Sequence, residues 1–260
     1  MSTDAVQFLS SLFLPGDTIL IRPIETWTDK ESGDRKSRVD REGVKYILNG
    51  TRDNSGVWHA EPQILQIQVD RILERHKQQK TNLFFGVCPR IGGNGRYDQA
   101  WQIRTVRALW QDIDDCLPDE AVLRCEQKKI PRPSIIVGSG NGTHLYWLLT
   151  EPVIVDDCGP PPAVLAEWIE KDGKKRRRPY ILDDKGEKLH LDVRANVPRL
   201  SPKAQHVQDI LSGMASLLGG DHTTDLSRIL RIPGSLNQKD ARNGKESRPC
   251  TMAEIKNAIP

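Results

Sequence analysis

Asp112 and Asp114, one residue apart at the end of the run Val106-Arg107-Ala108-Leu109-Trp110-Gln111, are the pair in this chain best suited to chemistry. On a strand, positions i and i+2 share a face about 7 Å apart. Two carboxylates so placed can hold a pair of divalent cations. Two cations about 4 Å apart clamp an in-line displacement at phosphorus, one at the attacking oxygen and one at the leaving oxygen. Carboxylate oxygens suit Mg²⁺ or Mn²⁺. An isolated D-x-D at a strand end is more commonly a pair of solvated turn residues, and Asp115 extends the acidic run into the next loop. Two further clusters argue for the chemical reading.

The first cluster is Ser134-Ile135-Ile136-Val137-Gly138-Ser139-Gly140-Asn141-Gly142-Thr143-His144-Leu145-Tyr146-Trp147-Leu148-Leu149. Two apolar strands flank a loop with three glycines, which predicts a hairpin whose backbone N–H groups can face an anion without side-chain obstruction. Ser139 and Gly140 are the nucleotide-contact candidates in that loop. On alternation His144 shares a face with Tyr146 and Leu148, and its place beside the glycine loop aims it at phosphate oxygens rather than at the carboxylate pair. The second cluster runs from Gly219-Gly220-Asp221-His222 through Asp225, Arg228, Arg231, Pro233-Gly234 and Asn237 to Lys239. Thr224 or Asp225 caps a predicted short helix that buries Leu226, Ile229 and Leu230 and projects Arg228 and Arg231. Beyond the Pro-Gly turn, Ser235, Asn237 and Lys239 alternate onto one side. Cationic and amide donors together suit a triphosphate.

These clusters sit in an alternation of helices and strands. Asp4 to Leu14 reads as an amphipathic helix stopped by Pro15-Gly16, and Thr18 to Ile24 as a strand. Asp29 to Glu42 is charged and reads as an exposed hairpin tip or loop. Glu61-Pro62 opens a helix with Ile64, Leu65, Val69, Ile72 and Leu73 at helical spacing and a basic end from His76 to Lys80. Leu83 to Val87 is a buried type of strand, leading to Pro89-Arg90 and a Gly-rich loop at Ile91 to Arg96. The run Lys171 to Pro179, with Lys174, Lys175, Arg176, Arg177 and Arg178, is the densest basic stretch; it can track phosphates through counterion release, although most such runs are solvated hairpin or loop tips. Asp192 alternates like a strand residue and is a reserve metal ligand.

The 260 residues suffice for one large domain or two small lobes, and 37% hydrophobic with 28% charged residues supports a real core. A net charge of +3 allows nucleic acid as a partner without demanding it. Five cysteines without a C-x-x-C pair argue against a zinc ribbon and a disulfide framework, so no zinc is expected and the thiols are expected reduced. With no signal-like N-terminus and no apolar stretch of spanning length, the expected location is cytoplasmic, away from membranes.

The D-x-D strand, the S-G-x-G-x-H-x-Y-W hairpin and the D-x-x-x-D-x-x-R-x-L-R-x-P-G-x-x-N-x-K segment resemble the three ordered motifs of the archaeo-eukaryotic primase superfamily, in particular the primase-polymerases of plasmids, phages and mobile elements. The likeness runs from about Phe85 to Lys239. It implies a two-lobed α/β (α+β) fold whose catalytic sheet is related to RNA-recognition modules: an N-terminal lobe at 1–105 and a catalytic lobe at 106–250, with a basic excursion at 171–179. It implies a template-dependent, two-metal nucleotidyl transferase that makes primers or extends strands on single-stranded DNA. Template, primer and nucleoside triphosphates would be its partners, and Mg²⁺ or Mn²⁺ its cofactor. Asp112, Asp114 and Asp221 would be the catalytic metal ligands, with Asp225 as the competing third acid. His144 would contact the phosphates of the incoming nucleotide; Arg228, Arg231, Asn237 and Lys239 would bind it too. Arg90 joins the basic run as a nucleic-acid contact.

Two other classes remain open. A non-catalytic replication-initiator module would tolerate loss of the acids and the histidine, all of which are present. A nucleotide-sugar transferase shares the D-x-D but needs neither the glycine-histidine hairpin nor the Arg-Arg-Pro-Gly-Asn-Lys segment. A nicking endonuclease would want a His-x-His pair with a tyrosine nucleophile, and His190 has no such partner. Finally, Thr251-Met252-Ala253-Glu254 has the form of a capping box, opening a helix too short to stand alone. The expectation is a primase part of a longer polypeptide or a subunit that docks a partner, with a helicase domain or subunit suggested by the resemblance.

Overall fold

The computed structural model describes residues 4–91, 100, 103–155, 200–222, 224–239, 241 and 244–256 in full, and residues 3, 164–171, 174–182 and 188–190 by their backbone. Helix α1 (Thr3–Leu12) leads into strand β1 (Thr18–Thr28), followed by β2 (Arg35–Val39), β3 (Lys45–Leu48) and the small pair β4 (Thr51–Arg52) and β5 (Trp58–His59). Helix α2 (Pro62–Gln79), strand β6 (Asn82–Gly86), strand β7 (Thr105–Asp114) and helix α3 (Pro118–Gln127) come next. A hairpin, β8 (Ile135–Gly138) with β9 (Gly142–Ile154), precedes β10 (Val164–Lys171), β11 (Lys174–Leu182) and β12 (Lys188–His190). The chain continues with α4 (Pro202–Leu218), β13 (Ile229–Arg231), β14 (Leu236–Asn237), β15 (Arg248–Pro249) and β16 (Thr251–Ile255).

Two antiparallel sheets frame the molecule. The first has the order β13-β6-β1-β2, with β3 also on β1; the second is β16-β8-β9-β7. Strand β1 is long enough to take two partners on one side, β3 along Thr18 to Ile21 and β2 along Ile24 to Thr28. Pro23, which has no N–H to give, falls at the hand-over between them. Strand β13 joins the first sheet through Ile229–Arg231, and β16 at 251–255 completes the second.

Helix α1 joins the two sheets. Phe8 packs edge-on against Phe85 of β6 at 5.0 Å and against Tyr146 of β9 at 5.2 Å. Phe8, Leu9, Leu12, Phe85 and Tyr146 are all inaccessible to solvent, and each large apolar side chain so buried contributes about 2 kcal/mol of transfer free energy. The other face of the second sheet is covered by α3, where Ala121, Val122 and Cys125 meet Ile113, Ile136, Leu145 and Trp147.

Helices α2, α3 and α4 all open with proline in the first turn, the position where its missing N–H costs nothing. Ser201 caps α4 by accepting from Ala204 N, and Gly219 closes it in the left-handed region at φ +69°.

Two sequence expectations are corrected. The segment around Ile229 and Leu230 is strand β13 rather than a helix, because its backbone pairs with β6 and Leu230 enters the shared core. Thr251 to Ile255 is strand β16 on β8 rather than a capped helix. In both places the edge of an existing sheet offers a ladder of hydrogen bonds that outweighs a local cap. The capping box that suggested a docking partner is therefore not formed.

Candidate active site

The alternation of β7 builds the site. Val106, Ala108 and Trp110 are 0–1% exposed on the face toward the shared core. The same face continues to Asp112 and Asp114, where the core ends and the strand reaches solvent. Asp112 stands opposite His144 of β9, and Asp114 opposite Gly142. A Cβ on Gly142 would meet the Ile113 carbonyl and lie 2.9 Å from Asp114 Cα, so the tight approach of the glycine loop to the D-x-D strand requires glycine there.

Asp221 arrives from the other side. The left-handed turn at Gly219 swings the chain back against β7, Gly220 packs so close that a Cβ would lie 3.1 Å from the Asp112 carbonyl, and the Asp221 N–H donates to that carbonyl at 2.8 Å. Asp225 is engaged locally instead. Its Oδ1 accepts from Ser227 Oγ at 2.6 Å, and its carbonyl accepts from Arg228 N. The structure thus brings Asp221, and not Asp225, to the D-x-D strand.

The electrostatics follow from this placement. Partial burial, then the charges of Asp112 and Asp221, push the Asp114 carboxyl above its usual range, with Lys239 opposing. Burial pushes Asp112 up too, against the pull of Arg228 and Arg231. Arg228 Nη2 lies 3.7 Å from Asp112 Oδ2. Arg231 donates to the Ser139 carbonyl at 3.1 Å and lies 5.3 Å over the Phe84 ring. Both guanidinium groups keep a buried Nε without a partner. Mutually repelling carboxylates are a donor set that a hard divalent cation would relieve. Among the described residues, however, no group of three or more His, Cys, Asp or Glu side chains is drawn together so as to hold a metal ion.

His144 differs from its expected aim. It is 2% exposed, its Nε2 lies 3.5 Å from Asp112 Oδ1 and its Nδ1 3.4 Å from the Tyr146 hydroxyl. Burial, then Arg231 and Arg228, lower its pKa to about 3. The imidazole is therefore neutral and lies against Asp112, one of the carboxylate pair that it was expected to point away from. Strand register explains the change, since the residue opposite Asp112 must lean on it.

Ser139 and Arg90 also depart from expectation. The Ser139 N–H is spent on Gly142 O, its carbonyl accepts from Arg231 and Asn237, and its side chain is buried. It braces the hairpin instead of offering an amide to an anion. Arg90 is 4% exposed; its guanidinium donates to Cys88 O at 2.8 Å and Ser227 O at 2.7 Å, in space left by Gly86. It is an internal brace rather than a nucleic-acid contact.

A cavity of about 480 Å³ is lined by Arg35, Asn141, Asn237, Lys239, Lys245, Glu246 and Arg248, and Lys239 links it to the carboxylates through its charge on Asp114. Gly140, at φ +83°, lets the hairpin loop approach this wall: a Cβ there would lie 3.0 Å from Asn237 and 3.1 Å from Arg248. Arg248 donates to Asn141 Oδ1 at 3.0 Å. Asn237 and Lys239 were expected in such a site. Arg35, Lys245 and Arg248 were not, although cationic residues within ten positions after Lys239 were a signal that could have been followed.

Lys174 to Arg178 form part of β11, paired with β10 in the register Glu167 to Arg178 through Lys171 to Lys174. The run is thus one arm of an antiparallel hairpin. Asp192 lies outside the described residues. Among the described residues, no helix is long and apolar enough to cross a membrane.

The sequence matches no protein-family model, and no curated protein matches it. Solved structures do. The AEP domain (PP-N190) of the cyanophage S-2L primase-polymerase aligns over 98% of this chain and 92% of its own, with a TM-score of 0.50 and 18% identity. The primase RepB′ aligns over 98% of this chain and 56% of its own, at a TM-score of 0.42 and 11% identity. The catalytic domain of primase RepB′ in complex with initiator DNA covers 98% and 86%, at 0.41 and 12%. The likeness to the cyanophage domain establishes the fold, a mixed α+β architecture shared with that domain.

Proposed function

We propose that this chain is a template-dependent nucleotidyl transferase, a primase-polymerase that makes primers or extends strands on single-stranded DNA. The observation that carries this reading is the hydrogen bond from the Asp221 N–H to the Asp112 carbonyl, which ties the main chain of a third acid to the D-x-D strand, while Lys239 of the cationic cavity acts on Asp114. Asp112, Asp114 and Asp221 would hold Mg²⁺ or Mn²⁺, which when bound stabilises the attacking and leaving oxygens of phosphoryl transfer.

The residues of the chain divide the remaining work. Lys239, Lys245 and Arg248 face the cavity where a triphosphate would need its charge neutralised. Arg228 and Arg231 hold their positive charge against Asp112. His144, neutral, orients Asp112 and adds no positive charge to those of Arg228 and Arg231 beside it. In the reaction the primer's 3′ oxygen bonds to the α-phosphorus, the bond from that phosphorus to the bridging oxygen breaks, and pyrophosphate leaves.

The test is incorporation of labelled nucleotides on a single-stranded template with Mg²⁺ or Mn²⁺, with and without primer and with ribo- and deoxyribonucleotide pools in turn. Wild-type chain yields polymer, and the Asp112→Ala, Asp114→Ala double variant, still folded by circular dichroism, yields none. Undiminished synthesis by that variant would refute the assignment.

A further inference from the structure

We propose that His76, at the end of α2, is a positioning residue for the nucleotide site: its Nε2 latches the segment from Leu236 to Lys239 that carries Asn237 and Lys239 to the cavity. The inference rests on the reading of that cavity as a nucleotide site. His76 belongs to neither the carboxylate cluster nor the cavity wall, and its side chain is buried.

The hydrogen bonds define the latch. The Leu236 N–H donates to His76 Nε2 at 3.1 Å, and the Gln238 amide donates to His76 O at 3.2 Å while lying 3.4 Å from Nε2. The Gln238 N–H donates to Asn82 Oδ1 at 2.9 Å. A main-chain N–H can only donate, so Nε2 must be the unprotonated nitrogen, and Nδ1 carries the proton toward Thr81 Oγ1 at 3.4 Å. Residues 236 and 238 are thereby tied inward to α2 and β6. Asn237, in the two-residue strand β14, and Lys239, in the turn that follows, line the cavity. Asn237 then donates to Ser139 O at 3.3 Å and accepts from Lys239 N at 3.2 Å. The latch is continuous from α2 to the glycine hairpin.

The surroundings keep His76 in the form the latch needs. Arg231 on β13 and Lys77 on its own helix are cationic, and Lys45, Arg71 and Arg75 line a cavity of about 150 Å³ on its other side, Arg75 being paired to Asp40. Burial, then Arg231, lower its pKa to about 4. A protonated Nε2 would set two donors against each other at Leu236.

The test compares His76→Phe, which keeps the ring's bulk without an acceptor, with His76→Gln, whose amide oxygen can accept from Leu236. Binding of a fluorescent nucleoside triphosphate with Mn²⁺ and steady-state incorporation are measured on the full chain. His76→Phe is expected to weaken nucleotide binding about tenfold and raise KM in parallel, with kcat changed less than threefold. His76→Gln is expected within threefold of wild type. Equal loss in both variants would overturn the latch, since bulk and burial would then be at issue. Should His76→Phe fail to fold, Gln238→Met, of similar size, is expected to weaken binding at least threefold, and unchanged binding there would overturn the latch equally. Wild-type chain that neither binds nor incorporates nucleotide would instead overturn the nucleotide-site reading, and the latch with it.

Discussion

Asp221 and Asp225 look interchangeable as third acids in the sequence, yet the hydrogen bonds of each give them separate work. Asp221→Ala is expected to abolish nucleotide incorporation with the thermal midpoint little changed. Asp225→Ala loses the bond from Ser227 Oγ and is expected to cost about 1 kcal/mol of stability while leaving activity measurable. Denaturation and incorporation assays on both variants separate the two, and the reverse pattern would exchange their roles. Arg90→Ala belongs at the same scale. A buried carbonyl, of Cys88, and a partly buried one, of Ser227, lose a charged donor, so a loss of about 2–3 kcal/mol is expected, with no change in the salt dependence of DNA binding.

Among the elements, the glycine hairpin and the basic hairpin make different predictions. The Gly142 position presses on the backbone of Ile113 and Asp114, which cannot yield as a flexible side chain would. Gly142→Ala is therefore expected to cost about 1–3 kcal/mol and to lower kcat more than it raises KM, because Asp114 is displaced. Melting curves and steady-state kinetics test both halves of that statement. For β11, replacement of Lys174, Lys175, Arg176, Arg177 and Arg178 by glutamine is expected to weaken single-stranded DNA binding. The slope of log affinity against log salt should fall by about 0.7 for each phosphate that is no longer neutralised. An unchanged slope would leave the run as an ordinary charged hairpin.

Across the whole molecule, the two sheets are held by a core that also contains titratable groups. His76 and His144 are buried and neutral, with pKa values lowered to about 4 and about 3, while an unfolded histidine titrates near 6.5. Between those values the unfolded chain binds more protons than the folded one, so stability is full above about pH 6.5 and declines as pH falls toward 4 and then 3. For His76 the loss is of the order of 3 kcal/mol. Urea midpoints from pH 7.5 to 4.5 at constant ionic strength should fall, and His76→Gln should flatten the slope.

Local pattern was enough for some of this. The apolar alternation of β7, ending in two acids, the helical spacing of α1 and α2, and the apolar arms of the β8–β9 hairpin each depend on neighbours within a few residues, and they were legible in the sequence. Helices α3 and α4 carry local starts of the same kind, Leu117-Pro118-Asp119 and Ser201-Pro202, outside the three motifs. Tertiary structure decided the rest. Whether Ile229 to Arg231 becomes helix or strand depends on the free edge of β6. Whether Arg90 meets solvent or two carbonyls depends on Gly86 and on a turn 137 residues away. The acid that joins Asp112 is chosen by where the Gly219-Gly220 turn lands on β7, and the role of His76 by a bond to Leu236 across 160 residues. Sequence patterns record the period of a strand or helix, whereas the closure of long loops and the assignment of buried hydrogen-bond partners are settled only when the whole chain has packed.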